Sequence, residues 1–254
     1  MNLFISPHLD DIALSCGGRV WELTQAGEPV SIVTPCAGDT PPQVADSPAV
    51  RRVHDEWRLG ANPYAGRRRE DRRACRILGA KPVHLNLLDA VYRQDGAGRM
   101  LYSRKFIGAR VKPWDRRHHA VALRAALAAL DRRHPGARVF CPLAFGAHVD
   151  HIIARAAIES VFSPAQIVYY EDFPYAELAS PEAWKSATEG LQPQTRRLAA
   201  DARAARINAI AEYRSQLFAL FRERDLDAAR ARMAERVGKY IEGVKGERYW
   251  KVRD

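Results

Sequence analysis

Short apolar runs rich in β-branched residues recur along this 254-residue chain, each followed by a segment of helical spacing, and this alternation constrains the fold most. NLFIS (2–6) reads as a buried strand. From Asp11 to Gln25 the apolar residues Ile12, Leu14, Val20 and Leu23 recur at loose helical spacing, and Gly27 follows where a helix-ending glycine belongs. PVSIVTP (29–35) is a second apolar strand. The chain therefore opens on β-α-β, the unit that joins parallel neighbours through a crossover helix.

The pattern continues. GDTPPQVADSP (38–48) is a loop by its Pro, Gly and Asp content. A helix is predicted over about Arg67–Leu78, closed by Gly79, then a strand in KPVHLNLLD (81–89) and a glycine-rich turn in QDGAGR (94–99). Helix 119–134, strand ARVFCPLA (137–144), helix Ile152–Val161 and strand AQIVYYED (165–172) follow. Helices are expected to dominate from about Gln194 to Tyr240, with ERYWKV (247–252) returning as a short edge strand. The fold class is α/β: a single Rossmann-like domain over 1–254 with a mostly parallel sheet flanked by helices. Its catalytic core is expected at about 1–175, with a C-terminal helical part at about 190–254. In such sheets ligands bind outside the carboxyl ends of the strands.

Two clusters stand at such ends. His8, Asp10 and Asp11 follow the first strand, and His148, Asp150 and His151 follow ARVFCP. They lie far apart in sequence yet can meet at one rim. Imidazole nitrogen with carboxylate oxygen suits a divalent metal such as zinc, and three protein ligands plus water is a catalytic arrangement. A spare carboxylate beside such a site can take a proton from water whose pKa the metal lowers. The plainer alternative is that Asp10 or Asp11 only caps the following helix, and that His148 and His151 are inert at a loop–helix junction. Two clusters of one chemistry at two strand ends favour the functional reading.

The charge of +10 permits an anionic partner, but acids interleave the arginines of GRRREDRR (66–73) and WDRRHH (114–119), and no RNA-binding or zinc-finger signature occurs. A solvated basic surface fits better, and no nucleic-acid partner is expected. Cys16, Cys36, Cys75 and Cys141 stand alone, without a C-x-x-C pair, as free thiols in a reducing compartment would. MNLFIS lacks the basic region of a signal peptide, and no run approaches a membrane span. A cytoplasmic location is expected. Gly17 and Gly18 form no phosphate loop, so no nucleotide cofactor is expected; they are read as letting the helix approach the rim.

SPHLDD followed by GG, with the distant HVDH, resembles the PIG-L/LmbE-like family of zinc-dependent N-deacetylases, which act on N-acetylglucosamine-type sugars. Leu9 and Val149 stand where that family often has proline, and neither position carries chemistry. RREDRRACRILGA (68–80), LNLLD (85–89), YYEDFPYA (169–176), INAIAEYRSQ (207–216) and GERYW (246–250) extend the likeness over nearly the whole chain. The resemblance implies His8, Asp11 and His151 as metal ligands and Asp10 as general base. It implies His148 as a protonated imidazole that stabilises the oxyanion or donates to the leaving amine. Asp150 is a candidate for orienting one imidazole. The metal implied is zinc, with ferrous iron also accepted by this ligand set.

Asp89, Arg67, Glu171, Asp172 and Tyr175 are candidates for substrate contact, because all sit at or near predicted strand ends or the arginine-rich helix. Tyr213 and Gln216 lie on an amphipathic helix, where packing is the stronger reading. The expected activity is hydrolysis of the acetamide of an N-acetylated amino sugar in a small conjugate. The alternatives are an amidase for larger N-acyl or thiol conjugates and, in another class, a basic nucleic-acid-binding protein. The arginine-rich C-terminal helices allow a homo-oligomer interface without demanding one.

Overall fold

The first strand lies inside the sheet, which is why its residues are apolar on both faces. The computed structural model describes residues 1–253 other than 61, 104, 222 and 224. Its elements run β1 (Asn2–Ile5), α1 (Asp11–Gln25), β2 (Val30–Thr34), α2 (Pro48–Trp57), α3 (Pro63–Leu78), β3 (Lys81–His84), α4 (Pro113–Arg117) and α5 (His119–Arg133). There follow β4 (Arg138–Pro142), α6 (Val149–Val161), β5 (Ile167–Tyr170), α7 (Pro181–Ala187), β6 (Leu191–Arg196), α8 (Ala200–Ile210), α9 (Arg214–Phe221), α10 (Leu226–Val244) and β7 (Glu247–Val252). The seven strands form one sheet in the order β3-β2-β1-β4-β5-β7-β6. β1 to β5 pair in parallel, and β7 is antiparallel to both of its neighbours.

Both faces are covered. Phe4 packs with Ile12, Val20, Phe140 and Ala209 on one side, while its neighbours Leu3 and Ile5 pack with Leu127, Val139 and Ile158 on the other. This is the period-two alternation of a strand buried on both faces. The Phe4 and Phe140 rings stack at 3.8 Å, tying β1 to β4 at their centres. Because β1 and β4 are adjacent, the loops at their carboxyl ends are adjacent too.

Four expectations are corrected. The strand predicted at 81–89 ends at His84, and Leu85–Asp89 continues as loop to the rim. β7 is not the edge: it lies between β5 and β6. The edge is β6, LQPQTR, where helix was expected from Gln194; its polar residues face solvent, so it carries no apolar signature. The C-terminal part is therefore woven into the sheet as well as helical. No helix of the described residues is long and apolar enough to cross a membrane.

Gly17 and Gly18 serve a different contact from the expected one. A Cβ on Gly17 would stand 3.0 Å from Arg206 Cγ, and one on Gly18 2.5 Å from Leu198 Cδ1. The glycines admit α8 and the strap before it, away from the rim. Arg206, wholly buried, pairs with Glu247 at 3.1 Å and donates to the Leu14 carbonyl of α1. The Glu247 carboxylate accepts from the amides of Gly18 and Arg19, both at 2.9 Å. One buried ion pair thus fastens α1 to α8 and β7. Glu247→Gln leaves Arg206 without its counter-charge and should cost about 3–5 kcal/mol in urea unfolding. Arg206→Met/Glu247→Gln together should cost clearly less than the sum of the single changes.

Candidate active site and metal centre

The two histidine–acid clusters meet at the carboxyl ends of β1 and β4. Asp10 is the N-cap residue of α1 by position, but its side chain makes no capping bond. It reaches Arg67 of α3 instead, at 2.9 Å. Asp11, in the first turn, accepts the His8 amide at 2.7 Å through Oδ2. That oxygen lies 3.5 Å from His8 Nδ1 and 3.3 Å from His151 Nε2. The capping alternative is therefore excluded for the Asp10 side chain.

Each of these imidazoles is held from behind by a buried carboxylate. His8 Nε2 is 3.0 Å from Asp150 Oδ2, and His151 Nδ1 is 2.6 Å from Asp172 Oδ1. Asp172 also accepts the Phe145 amide at 3.1 Å, and Asp150 the Ala90 amide at 3.1 Å. His148 is the N-cap of α6; its Nδ1 accepts the Asp150 amide at 3.2 Å. Asp89, beyond β3, accepts from the Tyr64 hydroxyl at 2.6 Å and from the Val91 amide at 3.1 Å. The Arg67 guanidinium lies 3.3 Å from that hydroxyl and 4.5 Å from the centre of the Trp57 ring.

Burial disfavours charge on His8 and His151, yet the surrounding carboxylates outweigh it. Asp89, Asp11 and Asp150 raise His8 well above its ordinary value, while Asp11 and Asp172 raise His151 to about 10. Asp11 is held down by His151 and His8 against its burial. The place between these side chains therefore favours positive charge. Burial lifts Asp10, with Arg67 opposing. His148 goes the other way: burial and the charge of His8 lower it to about 3. Both influences oppose the protonated imidazole expected of His148 and favour a neutral ring. With Nδ1 accepting, its proton sits on Nε2.

The donor set fits a divalent ion. A tetrahedral site with bonds of ~2.1 Å sets neighbouring ligand atoms ~3.4 Å apart, and the two Asp11 distances bracket that edge. His151 Nε2 is buried and makes no aligned hydrogen bond of its own. Ring nitrogens of His8, His148 and His151 come within 4.8 Å of one another, so His148 borders the same place. Cys36 stands near His8 and Asp150 too, and burial pushes its thiol up.

A cavity of about 110 Å³ opens on this cluster, lined by His8, Asp10, Asp11, Asp89, Arg67 and His148 among others. Pockets for whole ligands run to ~300 Å³ and above, so this one is smaller than a site that encloses a whole ligand. A larger groove of about 730 Å³ beside α7 has only Arg155 and Glu159 as charged lining. It shares Tyr175 with the cavity, where the tyrosine ring stands edge-on to His151 with centres 6.0 Å apart.

Of the substrate-contact candidates, Arg67, Asp89 and Tyr175 line the cavity and two do not. Asp172, 1% exposed, is spent on His151 and Phe145. Glu171 points to the other face of its strand, as successive residues do, and receives Tyr240, Arg248 and Trp250 Nε1. Gln216 and Leu220 of α9, Val53 of α2 and Phe106 complete the wall and were not anticipated. Gln216 was read as packing; its Nε2 donates to Ser215 Oγ, which donates to Glu70. Only the YRSQ likeness could have flagged it. Tyr213 does pack, donating to Asp71 at 2.8 Å.

A family model described as PIG-L, GlcNAc-PI de-N-acetylase, matches residues 3–162. The 2'-N-acetylparomamine deacetylase of Streptomyces fradiae is 32% identical over 184 residues, 68% of this chain and 57% of that enzyme. The match thus spans little more than half of that relative. The 2'-N-acetylparomamine deacetylase of Niallia circulans is 26% identical over 238 residues, 87% of this chain and 82% of its own. The solved structure of a zinc-inhibited form of teicoplanin deacetylase superposes with a TM-score of 0.80 at 26% identity, covering 99% of this chain and 97% of that one. Neither the larger-acyl amidase nor the nucleic-acid reading finds support among these relatives.

Glu171→Gln should lower the melting temperature and leave KM for any substrate unchanged. Asp172→Asn should weaken divalent-metal binding by about 10- to 100-fold, read by chelator competition.

Proposed function

The chain belongs to the PIG-L family, and on that premise we propose that it is a metal-dependent N-deacetylase releasing acetate from an N-acetylated amino sugar in a small conjugate. The observation that carries the reading is the single Asp11 oxygen set between two imidazoles, each steadied by a carboxylate on its far nitrogen. His8, Asp11 and His151 would hold the ion, zinc by donor chemistry, with ferrous iron accepted by the same set. When bound, such an ion supplies Lewis acidity, making water a better nucleophile and the acetamide carbonyl a better electrophile.

Asp10 is the general base. Its burial raises its proton affinity, and Arg67 holds its Oδ1 so that the carboxylate stays aimed into the cavity. Asp10 takes one proton from the attacking water as the new carbon–oxygen bond forms. It returns that proton to the nitrogen as the carbon–nitrogen bond breaks, leaving acetate and a free amine. His148 contributes as a neutral donor: its Nε2–H is available to the carbonyl oxygen as negative charge builds there. Asp89 can accept sugar hydroxyls, and Tyr64 and the Val91 amide keep it in place. Tyr175 and Arg67 border the rest of the sugar. The relatives' substrates, which their names give as N-acetylparomamine and teicoplanin-type conjugates, support an amino-sugar conjugate as the class.

The test is acetate release from a panel of N-acetylglucosaminides, run beside metal analysis of protein purified without chelator. Asp10→Asn should keep its metal and lose about 10²- to 10⁴-fold in kcat. Asp11→Ala and His151→Ala should lose the metal as well as turnover. Full activity in Asp10→Asn would remove the base from this mechanism.

A further inference from the structure

Behind His8 lies a buried arginine that the mechanism above does not use. Arg93 follows the turn Ala90–Tyr92 beyond β3, is 5% exposed, and does not line the cavity. Its Nη2 lies 2.5 Å from Asp150 Oδ1 and its Nε 3.2 Å from Asp115 Oδ2. Asp115, at the start of α4, is fixed in turn by the Tyr102 hydroxyl at 2.8 Å, and the Lys112 amide donates to that hydroxyl at 3.0 Å. Arg93 is therefore anchored on its far side by a buried chain of contacts. On its near side, the Asp150 carboxylate is divided. One oxygen faces Arg93, and the other meets His8 Nε2 and the Ala90 amide.

We propose that Arg93 is a positioning residue for the metal centre: by fixing the Asp150 carboxylate it holds the His8 ring with Nδ1 toward Asp11, and so sets the affinity of the site for its ion. The inference rests on the reading of His8, Asp11 and His151 as the ligand set. An imidazole offers a given nitrogen to an ion only while its ring is oriented, and a bond from the opposite nitrogen to a fixed acceptor supplies that orientation. Among the described residues, Arg93 is the one arginine or lysine within ion-pair reach of Asp150. None of its nitrogens makes an aligned hydrogen bond, so the pairing is one of charge and contact and not of a guanidinium fork. A lysine should therefore replace much of it.

The experiment measures zinc affinity by chelator competition, and the visible spectrum of the cobalt-loaded protein, for wild type, Arg93→Met, Arg93→Lys, Asp150→Asn and Arg93→Met/Asp150→Asn. Circular dichroism checks that each is folded. Arg93→Met should weaken binding by about 10- to 100-fold and alter the cobalt spectrum, while Arg93→Lys recovers most of the loss. In the Asp150→Asn background Arg93→Met should add little, because its effect passes through that carboxylate. Should Arg93→Met alone fail to fold, the double variant decides, since it leaves no unpaired Asp150 charge. Unchanged affinity in Arg93→Met overturns the proposal, as does a lysine variant no better than methionine. A further tenfold loss in the double variant beyond Asp150→Asn overturns it too. Wild-type protein that takes up no ion would instead sink the reading of the ligand set itself, a result distinct from any of these.

Discussion

Burial of charge at one rim is the constraint on which the rest of this structure depends. Asp10, Asp11, Asp89, Asp150 and Asp172 are all nearly inaccessible to water, as are His8, His148 and His151. Ionised groups withdrawn from solvent persist only when paired and hydrogen-bonded. Each carboxylate here has a counterpart: Arg67 for Asp10, Tyr64 for Asp89, Arg93 and His8 for Asp150, His151 for Asp172, while Asp11 shares both His8 and His151. The partners arrive from β1, β4, β5, α1, α3 and the loop after β3. Such a set can converge only at the carboxyl edge of a parallel sheet, where every one of those connections emerges. The fold is thus a way of bringing remote acids and imidazoles to one dry place.

What could be read from sequence follows from how local each signal was. His8, Asp10 and Asp11 are contiguous with a strand whose apolar run is unmistakable, and His148 and His151 with another, so their shared location followed from topology. Asp150 was legible as a carboxylate that orients an imidazole, but the ring it holds is His8 of the other cluster, not one of the histidines that flank it. Asp172 and Glu171 did not sort correctly: neighbours on one strand end point to opposite faces, and only the end of β5 at Tyr170 decides which one meets His151. The protonation of His148 was likewise invisible, because it depends on burial and on the nearness of His8. β6 escaped because an edge strand of Gln, Pro and Thr is polar on both sides, and strand prediction rests on apolar alternation. Arg93 and Gln216 lie among many similar residues, and nothing in their spacing separates them from a solvated surface.

The chemistry and the walls around it are built from different parts of the chain. The proposed ligands and base come from strand ends and the helix starts that follow them, held by the buried pairs just described. One part of the cavity wall comes from Val53 of α2 and from Gln216 and Leu220 of α9, two helices that pack on each other. Val53, Gln216 and Leu220 pair with no buried charge, so these side chains can change without unpairing one, whereas a change at the rim cannot. The buried pair of Arg206 and Glu247 completes the division of labour: it clamps α1, the helix bearing Asp10 and Asp11, against α8 and β7, and neither residue lines the cavity. The two aspartates are positioned by a contact outside the cavity wall, so variation in the wall leaves both in register.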